Sequence, residues 1–230
     1  MQLSRLKARR LAIHAQGLSG RDDLPAGSEG VAQTIKQLGY VQIDTIAVVQ
    51  RAHHHTLWAR RSDYTPEMLD QLQAVDRRVF EYWAHAAAYI PMRDYRYYVP
   101  KMRTYAGMGH LRRWREENAG VVQAVLDRIR DEGALGSSAF EAPEGYVRGT
   151  WWSWKPAKRA LETLFSSGEL MVTARRGFQR LYDLPERVLP AGLGTNPPAP
   201  DEVARYAARR ALQAHGVLAV RGVHWGMIGW

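Results

Sequence analysis

Apolar residues recur with a helical period at the start of the chain. Leu3, Leu6, Arg10, Ile13 and His14 share one face of a helix expected over residues 1–17, and Gly17 can close it. Residues 22–30 are rich in Gly, Pro, Ser and Asp and read as a loop. Val31 to Tyr40 follows as a short helix with Gly39 as its left-handed cap. Val41 to Val49 is rich in β-branched residues and reads as a strand or extended segment. Helix, turn, helix, strand is the order in which a winged helix opens. From Pro66 the pattern predicts a long helix to about Ala88, with Thr65 as N-cap, Glu67 and Asp70 in the first turn, and Pro91 as its stop.

The second half repeats the theme more completely. Val121, Val122, Val125, Leu126 and Ile129 have helical spacing, and Gly133 ends that helix. Ser137 to Glu141 reads as a short capped helix. The aromatic run Gly149–Trp154 leads to a third helix, with Pro156 in its first turn and Ala157, Ala160, Leu161, Leu164 and Phe165 as its apolar stripe. Glu169–Ala174, the basic turn Arg175-Arg176-Gly177 and Phe178–Leu184 read as strand, turn, strand, which is a β-hairpin wing. The fold class expected is therefore mainly α with small β-hairpin wings (α+β), built as tandem winged helices. The expected boundaries are a first unit at 1–117, a second winged helix at 118–189, a linker at 190–200 rich in Pro and Gly, and the opening of a third winged-helix region at 201–230.

Composition narrows the chemistry. Cysteine is absent, which excludes disulfides and thiolate metal sites. No apolar run approaches the roughly 20 residues that span a bilayer, and the opening residues lack the apolar core of a secretion signal. A cytoplasmic location is the default expectation, with no membrane partner. Lys plus Arg number 32 against 23 for Asp plus Glu, a net charge of +9. That balance is the footprint of a polyanionic partner, because phosphate contacts release counterions.

The candidate chemistry is sparse. In a strand Gln42 and Asp44 share a face while Ile43 points the other way. A carboxylate beside a carboxamide can orient a water or stabilise a developing cation, and only the Asp can act as a base near neutrality. On spacing alone, an inert surface or turn pair is the commoner reading. His53-His54-His55 are sequence neighbours that do not converge on one ion, so phosphate contact alongside Arg51, Arg60 and Arg61 fits them better than a metal. Glu81 and His85 have the spacing of an ordinary helical pair. Residues 93–115 interleave seven basic residues with four tyrosines and Trp114. That stretch is either a stacking platform for single strands or a helix whose tyrosines pack inward. No nucleotide-binding glycine loop, nucleophile elbow or zincin motif is present, and no cofactor or metal is expected.

Leu38-Gly39-Tyr40-Val41-Gln42-Ile43-Asp44-Thr45-Ile46, continued by Val49 to Trp58, resembles the winged-helix DNA glycosylases of interstrand crosslink repair, the YcaQ/AlkZ family. Phe80 to Pro91, Lys155 to Glu162 and Tyr182 to Arg187 match the style of that family too, so the resemblance covers essentially the whole chain. The family's active-site motif is Gln, an apolar residue, then Gln or Asp. Gln42-Ile43-Asp44 resembles the YcaQ branch, which carries Asp. The resemblance implies excision of N7-alkylated purines and unhooking of crosslinks, with Asp44 and Gln42 catalytic, on double-stranded DNA. It also implies a monomer associated with the bacterial nucleoid. DNA contacts are expected from Arg51, His53, His54, His55, Lys155, Lys158, Arg159, Arg175 and Arg176. Family members are longer, so a chain ending at Trp230 reads as a truncated form. The rival expectations are a non-catalytic winged-helix regulator, a protein-interaction module, and an inactive truncated family member.

Overall fold

The computed structural model describes residues 3–20, 23–140 and 156–218. Contacts divide it into two compact units, Met1–Tyr98 with Thr195–Trp230, and Val99–Gly194. The first unit runs α1 (Arg5–Ala15), α2 (Gly27–Leu38), β1 (Val41–Gln42), α3 (Ala52–Trp58), α4 (Pro66–Ala74), β2 (Val79–Trp83), β3 (Ala87–Pro91) and a 3-10 turn at Met92–Tyr97. The second unit holds α5 (Val99–Gly107), α6 (Gly109–Glu117), α7 (Ala119–Glu132), β4 (Leu135–Gly136), a 3-10 turn at Ser137–Ala139, α8 (Pro156–Ser166), β5 (Met171–Arg176), β6 (Gln179–Asp183) and α9 (Pro185–Val188). The chain then returns to the first unit as α10 (Pro200–His215).

Among the described residues each unit contains one antiparallel sheet of three strands, in the orders β1-β3-β2 and β4-β6-β5. The plan is the same in both. A helix ends at a glycine held at φ 88°, Gly39 in one and Gly133 in the other, a conformation that costs glycine little. One residue later comes a two-residue strand, which pairs with the last strand of a hairpin. That order of elements is a winged helix, so the expectation of tandem winged helices holds for the architecture.

The boundaries differ from those read in the sequence. Helices α5 and α6 belong with the second unit, and α10 packs on α1 and α2 instead of opening a separate region. Val203 and Ala211 of α10 are buried together, with Tyr40, Tyr206, Ala207 and Leu218 packed around them. The ring of Tyr206 stacks on that of Tyr97 with centroids 3.8 Å apart, and Arg210 meets the buried Asp94 at 3.4 Å.

The long helix expected from Pro66 to Ala88 stops at Ala74, and residues 79–91 are a β-hairpin. The physical reason is tertiary. Phe80 and Tyr82 point to one side of β2 and meet Tyr95 and Tyr98 edge-on, at centroid distances of 5.4, 5.7 and 6.2 Å. Aromatic contacts of this kind add about 0.5–1.5 kcal/mol each beyond burial, which outweighs the helix preference of the alanines at 84 and 86–88. Arg77, at φ 52°, lies in the turn before the hairpin. Glu81 and His85 are therefore not a helical pair, and Pro91 ends a strand opposite Val79.

The 93–115 stretch resolves in favour of inward packing. Tyr95, Tyr98 and Trp114 are buried, whereas Arg93, Arg103, Arg112 and Arg113 face solvent. In the second unit α7 and α8 bury Val122, Val125, Ile129, Leu161, Leu164 and Phe165 beneath the hairpin. The wing is braced from below, because Glu162 of α8 accepts hydrogen bonds from Arg180 at 3.0 Å and from the Tyr182 hydroxyl at 3.1 Å. The run Gly149–Trp154, Glu141 and Lys155 lie outside the described residues.

Candidate active site

β1 is an edge strand, and its side chains alternate as a half-buried strand requires. Val41 and Ile43 are 2% and 7% exposed, while Gln42 faces solvent and Asp44 is half-buried. The strand is held by register with β3, Val41 opposite Tyr89 and Gln42 opposite Ala88, and by the Ile43 amide donating to the Ala87 carbonyl at 2.7 Å. Past Ile43 the backbone turns. The Ile46 amide donates to Asp44 Oδ1 at 2.8 Å, an Asx turn that fixes the carboxylate. Thus the extended segment expected to reach Val49 ends at the candidate carboxylate itself.

The antiparallel register carries one step further. Asp44 falls level with the Ala84–Ala86 turn of the β2–β3 hairpin, closed by the Ala84 amide on the Ala86 carbonyl at 2.9 Å. That turn presents His85 to solvent. Sequence reasoning placed His85 on a helix with Glu81, and only the hairpin brings it to the end of the sheet where Asp44 lies. Glu81 itself is 2% exposed, across from Tyr89 on the buried face.

α3 backs the site with its three histidines, each in a different environment. His53 is 3% exposed and packs edge-on to Tyr89 with centroids 5.8 Å apart. It is buried at the position where the sequence led to an expected DNA contact. His54 shares a hydrogen bond with the Tyr64 hydroxyl at 2.7 Å and clusters with the rings of Trp58 and Tyr64, at centroid distances of 5.8 and 6.0 Å. Burial, reinforced by the Arg51 charge, holds its pKa below the ordinary imidazole value, so the ring is neutral near pH 7. His55 is exposed, with Nε2 3.1 Å from the Gln50 carbonyl. Arg51 is half-buried and its Nη1 donates to the Thr45 carbonyl at 2.6 Å, so it braces the turn after Asp44 as well as carrying charge.

Two neighbouring arginines are structural. Arg61, 2% exposed, pairs with Asp63 at 2.9 Å, and Asp63 in turn accepts from the Gly27 amide at 2.7 Å. These bonds hold the Asp63 carboxyl below its usual range. Arg60 donates to the Gln16 and Thr56 carbonyls at 2.7 Å each.

In the second unit Lys158 and Arg159 are exposed on α8, and Arg159 lies over the Trp114 ring at 4.7 Å. Arg176 is exposed at the wing tip beside Gly177. Arg175 is turned back, its guanidinium 4.4 Å from the Phe178 ring and donating to the Phe178 carbonyl at 2.8 Å. Among the described residues no group of three or more His, Asp or Glu is placed to hold a metal ion.

A winged helix in each unit, and in the first a Gln and an Asp presented outward from an edge strand, define a tandem winged-helix protein with a candidate acid–amide centre. A family model described as DNA glycosylase AlkZ-like matches residues 35–228, and the chain belongs to that family. It is similar in fold to the DNA glycosylase AlkZ of Streptomyces sahachiroi, with a TM-score of 0.62 and 17% identity over 98% of this chain. The match covers 65% of the Streptomyces chain, so this chain spans less than two thirds of that protein's length.

Proposed function

We propose that this protein is a DNA glycosylase that hydrolyses the N-glycosidic bond of N7-alkylated purines in duplex DNA and unhooks interstrand crosslinks. It would act as a monomer on nucleoid DNA in the cytoplasm. The observation that carries the reading is the fixed, outward-facing pair of Gln42 and Asp44 at the end of an edge strand, in a chain of the AlkZ-like family.

Alkylation at N7 makes the purine cationic and a good leaving group, so no general acid is required. As the bond from C1′ to N9 breaks, positive charge develops on the sugar, and the Asp44 carboxylate stabilises it. Water then adds to C1′ and gives its proton to Asp44, while Gln42 positions that water or the sugar. Gln42 is exposed and Asp44 only half-buried, so the pair is open to approach from a groove. That suits a base tethered to the opposite strand, which cannot be flipped into a deep pocket.

The test is base release from a duplex bearing N7-methylguanine under single-turnover conditions. Asp44→Asn retains a side-chain oxygen for the Ile46 amide but loses the charge. Its rate is expected to fall by on the order of 10²–10³-fold with unchanged melting temperature and DNA affinity. Asp44→Ala loses the turn as well and is expected to be both inactive and slightly less stable. Full excision by Asp44→Asn would sink the catalytic assignment and favour a DNA-binding role alone.

A further inference from the structure

The four residues after the Asp44 turn are an unusual surface. Ile46, Val48 and Val49 are 71%, 93% and 89% exposed and form a contiguous apolar tip. The tip is pinned at both feet. The Ile46 amide is bonded to Asp44 Oδ1, Arg51 Nη1 to the Thr45 carbonyl, the Arg51 amide to Gln50 Oε1 at 3.0 Å, and Ala47 bridges Arg51 across the turn. Its side chains are β-branched and stiff, so little freedom is lost when they are gripped.

We infer that Ile46-Ala47-Val48-Val49 is a wedge that enters the base stack of duplex DNA beside the modified purine and holds the strand open over Asp44. This rests on the glycosylase reading above. Three features select DNA as the occupant. The tip is two residues from the carboxylate that must meet the sugar. From Thr45 to Ser62 the chain has no acidic residue, while Arg51 and His55 flank the tip with donors for phosphates. And small apolar side chains inserted at a base step are a recurrent way of unstacking and kinking a duplex.

The experiment uses a duplex with one N7-methylguanine next to 2-aminopurine, whose fluorescence rises on unstacking. It is read in the Asp44→Asn protein, so that no turnover is needed. Binding is expected to raise the fluorescence, and adding Val48→Ser with Val49→Ser is expected to abolish the rise. In the protein that keeps Asp44, the same pair should slow base release about tenfold or more. Val75→Ser, at a valine that is 72% exposed at the end of α4, should change neither. A full fluorescence rise with the serine pair, or none with the parent, overturns the wedge. So does a lowered melting temperature or an altered sedimentation coefficient for the serine pair, which would make the loop a structural or self-association element. Failure of the glycosylase reading is seen separately, as absence of base release by the unmodified protein.

Discussion

Neighbouring side chains in this protein have sharply different fates, and α3 shows why. A helix turns 100° per residue, so His53, His54 and His55 point into the core, along its margin and into water. Of the three, His55 is the one whose side chain is exposed. His54 supports a prediction with a definite sign. Its folded-state pKa is lowered below the ordinary 6.5, so below that value the unfolded chain takes up a proton that the folded chain resists. Stability is therefore unaffected by this group above 6.5 and falls as the pH drops toward its folded value. His54→Gln removes that loss. The difference in urea midpoint between about pH 7.5 and about pH 5.5 should be smaller in the variant than in the parent. An equal difference would mean that the imidazole is not shielded. The pair Gln42 and Asp44 was legible in the sequence from its alternation with Val41 and Ile43. The exposure of Val48 and Val49 was not, because β-branched residues read as strand and only the Asx turn at Asp44 shows that the strand has ended.

Among the elements, the β2–β3 hairpin was the least legible. Four alanines and a preceding helix start argued for continuation, while the decisive partners, Tyr95 and Tyr98, lie more than ten residues further on and beyond a turn. The wing in the second unit was readable because its turn, Arg176-Gly177, carries its own chemistry. The placement of α10 was not, since nothing local marks the return of residues after Thr195 to the first unit. That return rests partly on Asp94 and Arg210, 4% and 8% exposed. Burial raises the Asp94 carboxyl despite its partner, which lowers it only in part. Breaking such a pair leaves an uncompensated buried charge, so Arg210→Met is expected to cost about 3–5 kcal/mol, read as a lower denaturant midpoint. Adding Asp94→Asn should restore much of the loss. If the double variant is as unstable as the single one, packing by the arginine stem and not charge is what holds α10.

For the whole molecule, the net charge of +9 and membership of the AlkZ-like family point to a polyanionic partner. Binding to undamaged duplex should weaken linearly on a log–log plot against salt, with a slope of about −0.9 per phosphate contact. Lys158→Ala and Arg176→Ala, both exposed, should each reduce that slope by roughly one contact. A slope unchanged by either variant would remove α8 and the wing tip from the interface. The sequence resemblance and the family match agree on the class of protein. Periodicity supplied only the architecture, because a winged helix by itself serves many functions.

The shared plan of the two units has a steric corollary. Counting from the capping glycines, Gly136 and Ser138 occupy the ranks held by Gln42 and Asp44 in the other unit. At Gly136 a β-carbon would lie 3.3 Å from both the Arg180 carbonyl oxygen and Leu181 Cδ2, tighter than most such contacts, so these neighbours must give by a few tenths of an ångström. The second sheet is thus crowded at the rank where the first sheet presents Gln42. Transplanting Gln-Ile-Asp into residues 136–138 should therefore require a small shift of Leu181 and its strand, read as a lowered melting temperature.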